Sequence, residues 1–294
     1  MVTVLGATGH TGHVVVDRLL TAGGTVRAVA RSSERLQPLR ERGAEIAAGD
    51  AFDASFLSGA FRGAEAAYVM VPPDYARPDL RRHYNHFGDV LDAAIRQSGL
   101  RRAVFLSSLG AEQSEGTGPI LGLHDLEQRL KGLGMDVLTL RPGYFYENFY
   151  SSLPLIRHQG INGGAIAPDV PFTMTASRDI GAVAADALMN GTFHGVTVRE
   201  ILGPSDYTMA GATRMIGEKI GKPDLRYVQF PDADFKASLM QFGFSEGSAA
   251  AFVELSHALS AGRIRSLQGR QPEITAPTSF EEFAEELAAA YRAT

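Results

Sequence analysis

The stretch Gly6-Ala7-Thr8-Gly9-His10-Thr11-Gly12 spaces three glycines three residues apart. It joins four β-prone residues, Val2 to Leu5, to a run whose apolar Val14, Val15, Val16, Leu19 and Leu20 suit a helix. Glycines there let the backbone turn tightly and approach a ligand with no Cβ in the way. The first amides of the helix, at the positive end of its dipole, then face an anion. A dinucleotide pyrophosphate is the anion this arrangement suits, with Gly6, Thr8, Gly9, His10, Thr11 and Gly12 around it. The spacing is G-x-x-G-x-x-G, unlike the G-x-G-x-x-G of many dehydrogenases. Arg31 follows the next β-prone run, nineteen residues past Gly12. An acid at that place would accept from the ribose 2′-hydroxyl, whereas a base accommodates a 2′-phosphate. A guanidinium forks onto phosphate through two hydrogen bonds, so Arg31 favours NADPH over NADH.

These residues need elements to position them. Strands are expected at 2–5, 25–30, 44–48, 65–71, 102–107 and 135–140, with helices between them. Leu80, Tyr84, Phe87, Leu91 and Ile95 carry the helical period over 79–98, and Gly99 closes it. Such alternation predicts an α/β fold, a doubly wound parallel sheet covered on both faces. Its ligands bind beyond the carboxyl ends of the strands. After Arg141-Pro142-Gly143 the character changes, with aromatics at Tyr144, Phe145, Tyr146, Phe149 and Tyr150, then a Gly- and Pro-rich segment from Gly160 to Pro171. Further helices are expected at 178–190, 208–220, 232–241, 247–260 and 279–291, and a strand at 225–230. Ser279 with Glu282 forms a capping box for the last helix. The expected division is a nucleotide-binding domain over 1–150 and a smaller, mostly helical substrate-binding domain over 151–294, with strands around 178–202 able to return to the first sheet.

The chain has 294 residues, 45% of them hydrophobic and 21% charged, an ordinary globular composition. A net charge of -5 argues against nucleic acid or an anionic membrane as partner. Zero cysteines exclude thiolate chemistry. The chain lacks an apolar stretch of about 18 residues, so a cytoplasmic location is expected; a small-molecule substrate, and a homodimer or a protein partner, are compatible with this composition. His83 and His86 lie three apart on a helix with Asp79 and Asp89 near, but Arg81 and Arg82 would repel a cation, so no metal is expected.

The glycine turn resembles that of the short-chain dehydrogenase/reductase superfamily. Arg101 to Ser108, His124-Asp125-Leu126-Glu127-Gln128, Leu140-Arg141-Pro142-Gly143 with Glu147-Asn148, and Ser177-Arg178-Asp179-Ile180-Gly181 are similar to its NmrA-like branch. The segments from Tyr207-Thr208-Met209 to Arg226-Tyr227-Val228 fit as well, so the resemblance covers roughly residues 1–240. It implies a Rossmann-type fold, with Asp50 on the adenine side and Val71-Pro72-Pro73 lining the adenine and ribose wall. The superfamily's Tyr-x-x-x-Lys is absent from this chain. His124 and Gln128 stand at that spacing, on the helix side away from Leu126, Leu130 and Leu133, and His124 could hold or donate a proton. Gln128 supplies no cation, so ordinary carbonyl reduction is not expected. A serine near Ser107 often bonds substrate in the superfamily; here it could instead only close the fifth strand. The branch includes NADPH-dependent quinone reductases and NADP(H)-binding redox sensors. Hydride transfer to a quinone or similar small conjugated acceptor asks less of the protein than carbonyl reduction does, because the cofactor carries the hard step. It does ask for a planar apolar slot, for which Tyr144, Phe145, Tyr146 and Phe149 are candidate walls, a core cluster joining the two halves being the alternative. A non-catalytic sensor, or an enzyme dedicated to one secondary metabolite, would carry the same cofactor signals.

Overall fold

A computed structural model describes residues 1–191 and 193–293. In chain order the first half contains β1 (Val2–Leu5), α1 (His10–Thr21), β2 (Val26–Ala30), α2 (Ser33–Glu41), β3 (Glu45–Ala48) and α3 (Ala54–Phe61). It continues through β4 (Ala66–Val69), α4 (Leu80–Ser98), β5 (Arg102–Leu106), α5 (Ile120–Lys131) and β6 (Asp136–Pro142). β7 (Tyr144–Phe145), a 3-10 segment (Tyr146–Ser152), α6 (Leu153–Gln159), β8 (Ile161–Gly164), β9 (Phe172–Thr175), α7 (Ser177–Asn190) and β10 (Val196–Ile201) follow. The chain ends with β11 (Asp206–Tyr207), α8 (Met209–Lys219), β12 (Arg226–Gln229), α9 (Asp232–Gln241), α10 (Glu246–Ser260) and α11 (Phe280–Ala293).

Seven strands form one sheet in the order β10-β6-β5-β4-β1-β2-β3, and every pairing in it is parallel. The reversal of strand order lies between β1 and β4, where a doubly wound sheet opens its crevice. Local chemistry explains the helices. The Asp79 carboxylate accepts from Arg82 N at 2.9 Å to start α4, and Gly99, at φ +73°, ends it. The capping box of α11 forms, with Glu282 Oε2 accepting from Ser279 N at 2.9 Å and Ser279 Oγ accepting from Glu282 N at 3.2 Å. Val15, Val16, Leu19, Ile180 and Ala184 fill one face of the sheet, and Leu57, Phe61, Phe87, Leu91 and Leu126 the other. α7 lies so close to α1 that a Cβ on Gly181 would come within 2.6 Å of Val14 Cβ and 2.8 Å of Thr11 O.

Among the described residues the second half carries the helices α6 to α11 together with the short strands β8 to β12, of which β12 overlaps the strand expected at 225–230 and β10 returns to the first sheet from within the region around 178–202. β10 pairs with β6 as the seventh strand, β11 pairs with β9, and β12 pairs with β8. These runs are only two to six residues long, and β8 falls inside the Gly- and Pro-rich segment, so a period-2 pattern has little room to show. Among the described residues no helix is long and apolar enough to cross a membrane.

Candidate nucleotide and acceptor site

Because the sheet is parallel, the carboxyl ends of its strands share one edge, which carries Gly6, Arg31, Asp50, Val71, Ser107 and Gly143. Gly6 is at φ +63°, a left-handed conformation, and its Cβ would sit 2.9 Å from Met70 Sδ. A Cβ on Gly12 would lie 2.3 Å from Gly6 O and 2.8 Å from Gly6 C. The turn therefore closes only with glycine, which leaves its backbone bare. Gly9 caps α1 without a side-chain hydrogen bond, so the first amides of the helix keep their donors for a ligand. Thr11 is fixed from below: its hydroxyl accepts from the buried Tyr68 phenol at 2.8 Å, and burial pushes that phenol's pKa up. The Thr11 hydroxyl, accepting from Tyr68, keeps its own proton to donate. Thr8 O accepts from Arg35 Nη2 at 3.2 Å, and His10 is exposed and stacked on Tyr150 with ring centroids 6.4 Å apart.

Arg31 is exposed at the end of β2, and its guanidinium has no partner among the described residues. Ser32 next to it caps α2 by accepting from Arg35 N at 3.2 Å. Asp50 Oδ1 accepts from Phe52 N at 2.9 Å, which holds the loop after β3 in a turn. Val71 is buried, Pro72 half-buried and Pro73 exposed in the loop after β4. That loop is tied to the second half of the chain: Tyr75 stacks on Phe244 at 4.7 Å, and the hydroxyls of Ser245 and Ser248 donate to Arg77 O at 2.6 and 2.7 Å.

The acceptor side departs further from expectation. Tyr146 and Phe149 are 0% and 1% exposed, so they cannot wall a slot. They pack with Phe280, and Tyr146 also meets Phe283 and donates to Thr278 O at 3.2 Å. The core-cluster alternative holds for this pair. Tyr144 and Phe145 stay half-buried beyond β6, and burial pushes the Tyr144 pKa up to about 12, so its phenol is neutral at physiological pH.

His124 is half-buried on α5, and its Nδ1 lies 2.8 Å from Ala111 O. A carbonyl only accepts, so Nδ1 carries a proton and Nε2 is the nitrogen left for a ligand. Gln128 is exposed and accepts from Lys131 Nζ at 3.0 Å. Beside His124, the Arg81 guanidinium donates two hydrogen bonds to Asp125 and holds its carboxyl below the usual range. α5 ends at Lys131, two residues before Leu133.

Sequence reasoning missed a buried network at the same edge. Ser107 Oγ donates to Glu127 Oε1 at 2.6 Å, and Arg141 Nε and Nη2 donate to Glu127 Oε1 and Oε2 at 2.9 and 2.5 Å. Arg141 Nη1 also reaches Glu112 Oε2 at 3.3 Å. Ser107, Glu127 and Arg141 are 4%, 2% and 8% exposed. Ser107 therefore does more than close its strand: it anchors the loop after β5 to α5. The signal was present as Glu127 beside two leucines of the helix's buried stripe, but its partners lie 14 and 20 residues away.

The strand order, the switch between β1 and β4 and the bare glycine turn define a doubly wound, Rossmann-type α/β protein. Within that class the chain belongs to the NmrA-like family, whose profile matches residues 1–284. It is 30% identical over 276 residues to the (4-alkanoyl-5-oxo-2,5-dihydrofuran-3-yl)methyl phosphate reductase of Streptomyces griseus, covering 94% of this chain and 93% of that one. It is 27% identical over 268 residues to quinone oxidoreductase 2 of Escherichia coli, covering 89% of each. Its fold superimposes on the NADPH-dependent quinone oxidoreductase of Escherichia coli, solved with NADPH, at a TM-score of 0.83, with 23% identity, 98% of this chain and 99% of that one.

Proposed function

We propose that the protein is an NADPH-dependent oxidoreductase that reduces a quinone or similar small conjugated acceptor. The observation that carries this is the glycine turn, where Gly12 admits no Cβ beside Gly6 O and unused helix amides face the switch point. The names of its relatives agree: one is a quinone oxidoreductase and another a reductase of an oxo-dihydrofuran. The residues present fit a dinucleotide. Gly6 to Gly12 and the start of α1 would hold the pyrophosphate, Arg31 the 2′-phosphate, and Asp50 with Val71 to Pro73 the adenosine. The nicotinamide supplies the hydride when bound. Tyr144 and Phe145 present half-buried rings with no charge, suited to one side of a planar acceptor. The anion left on the acceptor by hydride transfer needs one proton, and His124, its Nδ1–H held by Ala111 O, would take a proton at Nε2 from solvent and pass it to that anion. Residues 1–150 with the returning strand β10 form the nucleotide half, and the rest of 151–294 closes the acceptor side.

Purified protein mixed with NADPH and a panel of quinones is expected to consume NADPH. Binding without consumption would instead favour an NADP(H) sensor. Arg31→Asp should weaken NADPH by about tenfold and NADH much less, since only NADPH carries the phosphate that the exposed guanidinium would meet. Equal weakening of both in a binding titration removes Arg31 from that role. His124→Ala should lower kcat by about a hundredfold, the lower end for a positioned acid–base group, with the NADPH Kd unchanged. An unchanged rate takes His124 out of the mechanism.

A further inference from the structure

The side chain of His83 links the loops after β3 and β4. Phe52, two residues past Asp50, stacks on His83 with ring centroids 4.6 Å and planes 27° apart. The same ring meets the fully buried Phe87 edge-on at 5.5 Å, which gives Phe52 a fixed floor. On the opposite side, His83 Nε2 lies 3.2 Å from Pro72 O. A carbonyl only accepts, so this nitrogen carries the proton and donates. His83 sits on the first turn of α4, where the Asp79 cap holds the backbone and His83 N donates to Asp79 O at 3.0 Å. One imidazole thus touches the ring of one loop and the carbonyl of the other, from a helix start that cannot drift.

We propose that His83 is a positioning residue for the adenosine half of the nucleotide, which it serves by setting the separation of the Asp50–Phe52 and Val71–Pro73 loops. This rests on the NADPH reading above. Both contacts are directional: the stack fixes the plane of the ring, and the hydrogen bond fixes its edge. Removing the imidazole takes from Phe52 its nearest ring, leaving it His86 tilted at 5.7 Å and Phe87 edge-on at 5.5 Å, and takes from Pro72 O its donor, so both loops gain freedom that binding must then take away.

The test titrates NADPH into wild type, His83→Ala and His83→Gln, and displaces it with 2′,5′-ADP or with reduced nicotinamide mononucleotide, which lacks adenosine. His83→Ala is expected to weaken NADPH and 2′,5′-ADP each by about tenfold and to leave the mononucleotide unchanged. His83→Gln, whose amide reaches the Pro72 carbonyl but cannot stack, is expected to fall between, and it carries the test if the alanine variant fails to fold. A mononucleotide weakened as much as NADPH shows a general disturbance and overturns the proposal, as does a His83→Ala protein that binds NADPH like wild type. A wild type that binds no NADPH overturns the cofactor reading and this proposal together, whereas normal wild-type binding with an unaffected variant overturns this proposal alone.

Discussion

Arg141→Met is expected to cost about 3–5 kcal/mol of folding stability, because it strips the cation from a buried pair and leaves a carboxylate uncompensated. Arg141 donates two hydrogen bonds to Glu127, which is 2% exposed, and a third to Glu112. Without it Glu127 keeps, among the described residues, the Ser107 hydroxyl as its donor. Glu200, also 2% exposed, lies opposite Arg141 in the β10–β6 register and adds a third nearby carboxylate. In a thermal melt the loss corresponds to a fall of roughly 10 °C for a chain of this size. Urea unfolding gives the same quantity as a lower midpoint at an unchanged slope. Arg141→Met combined with Glu127→Met should recover much of the loss, since an apolar pair of similar volume removes the stranded charge. A single-variant loss below about 1 kcal/mol would mean that water reaches the network and screens it.

Gly12→Ala is the second large effect, and it falls on binding. The new Cβ would be placed 2.3 Å from Gly6 O, where the contacted atom is backbone and cannot rotate aside. The start of α1 must shift, and its amides lose their aim at the anion. NADPH affinity is expected to drop by about a hundredfold, with some loss of stability from the overpacked turn. Gly59→Ala is the matched control: it lies inside α3 with nothing within 4 Å of the added Cβ, so it should bind NADPH like wild type and be slightly more stable. Calorimetry with NADPH on both variants checks the pair. Normal binding by Gly12→Ala would remove the glycine turn from the site.

The two variants also show which kind of information each level of structure holds. The turn at Gly6 to Gly12 could be read from the chain because its requirements are local: residues six apart in sequence meet one another, and only glycine tolerates the meeting. The same is true of the Ser279 capping box and of the long helix over Leu80–Ser98, whose apolar period is its own record. The Arg141 network could not be read in that way. Glu127 lies beside the buried stripe of its helix, but a charged residue stays buried only when paired, and its burial with Arg141 depends on their meeting across α5 and β6.

The aromatic run after Gly143 marks the boundary between the two. Its sequence determined that Tyr144, Phe145, Tyr146 and Phe149 would seek apolar surroundings, just as the alternation of elements determined a parallel sheet with a ligand edge. Which rings would face that edge was decided only by the tertiary structure. α11, more than a hundred residues on, brings Phe280 and Phe283 over Tyr146, and Phe280 also covers Phe149, while Tyr144 and Phe145 stay half-buried. The physical reason is that hydrophobicity belongs to a side chain, whereas burial belongs to whatever packs against it. Along a chain, only neighbours within a turn or two of helix or strand announce that partner in advance.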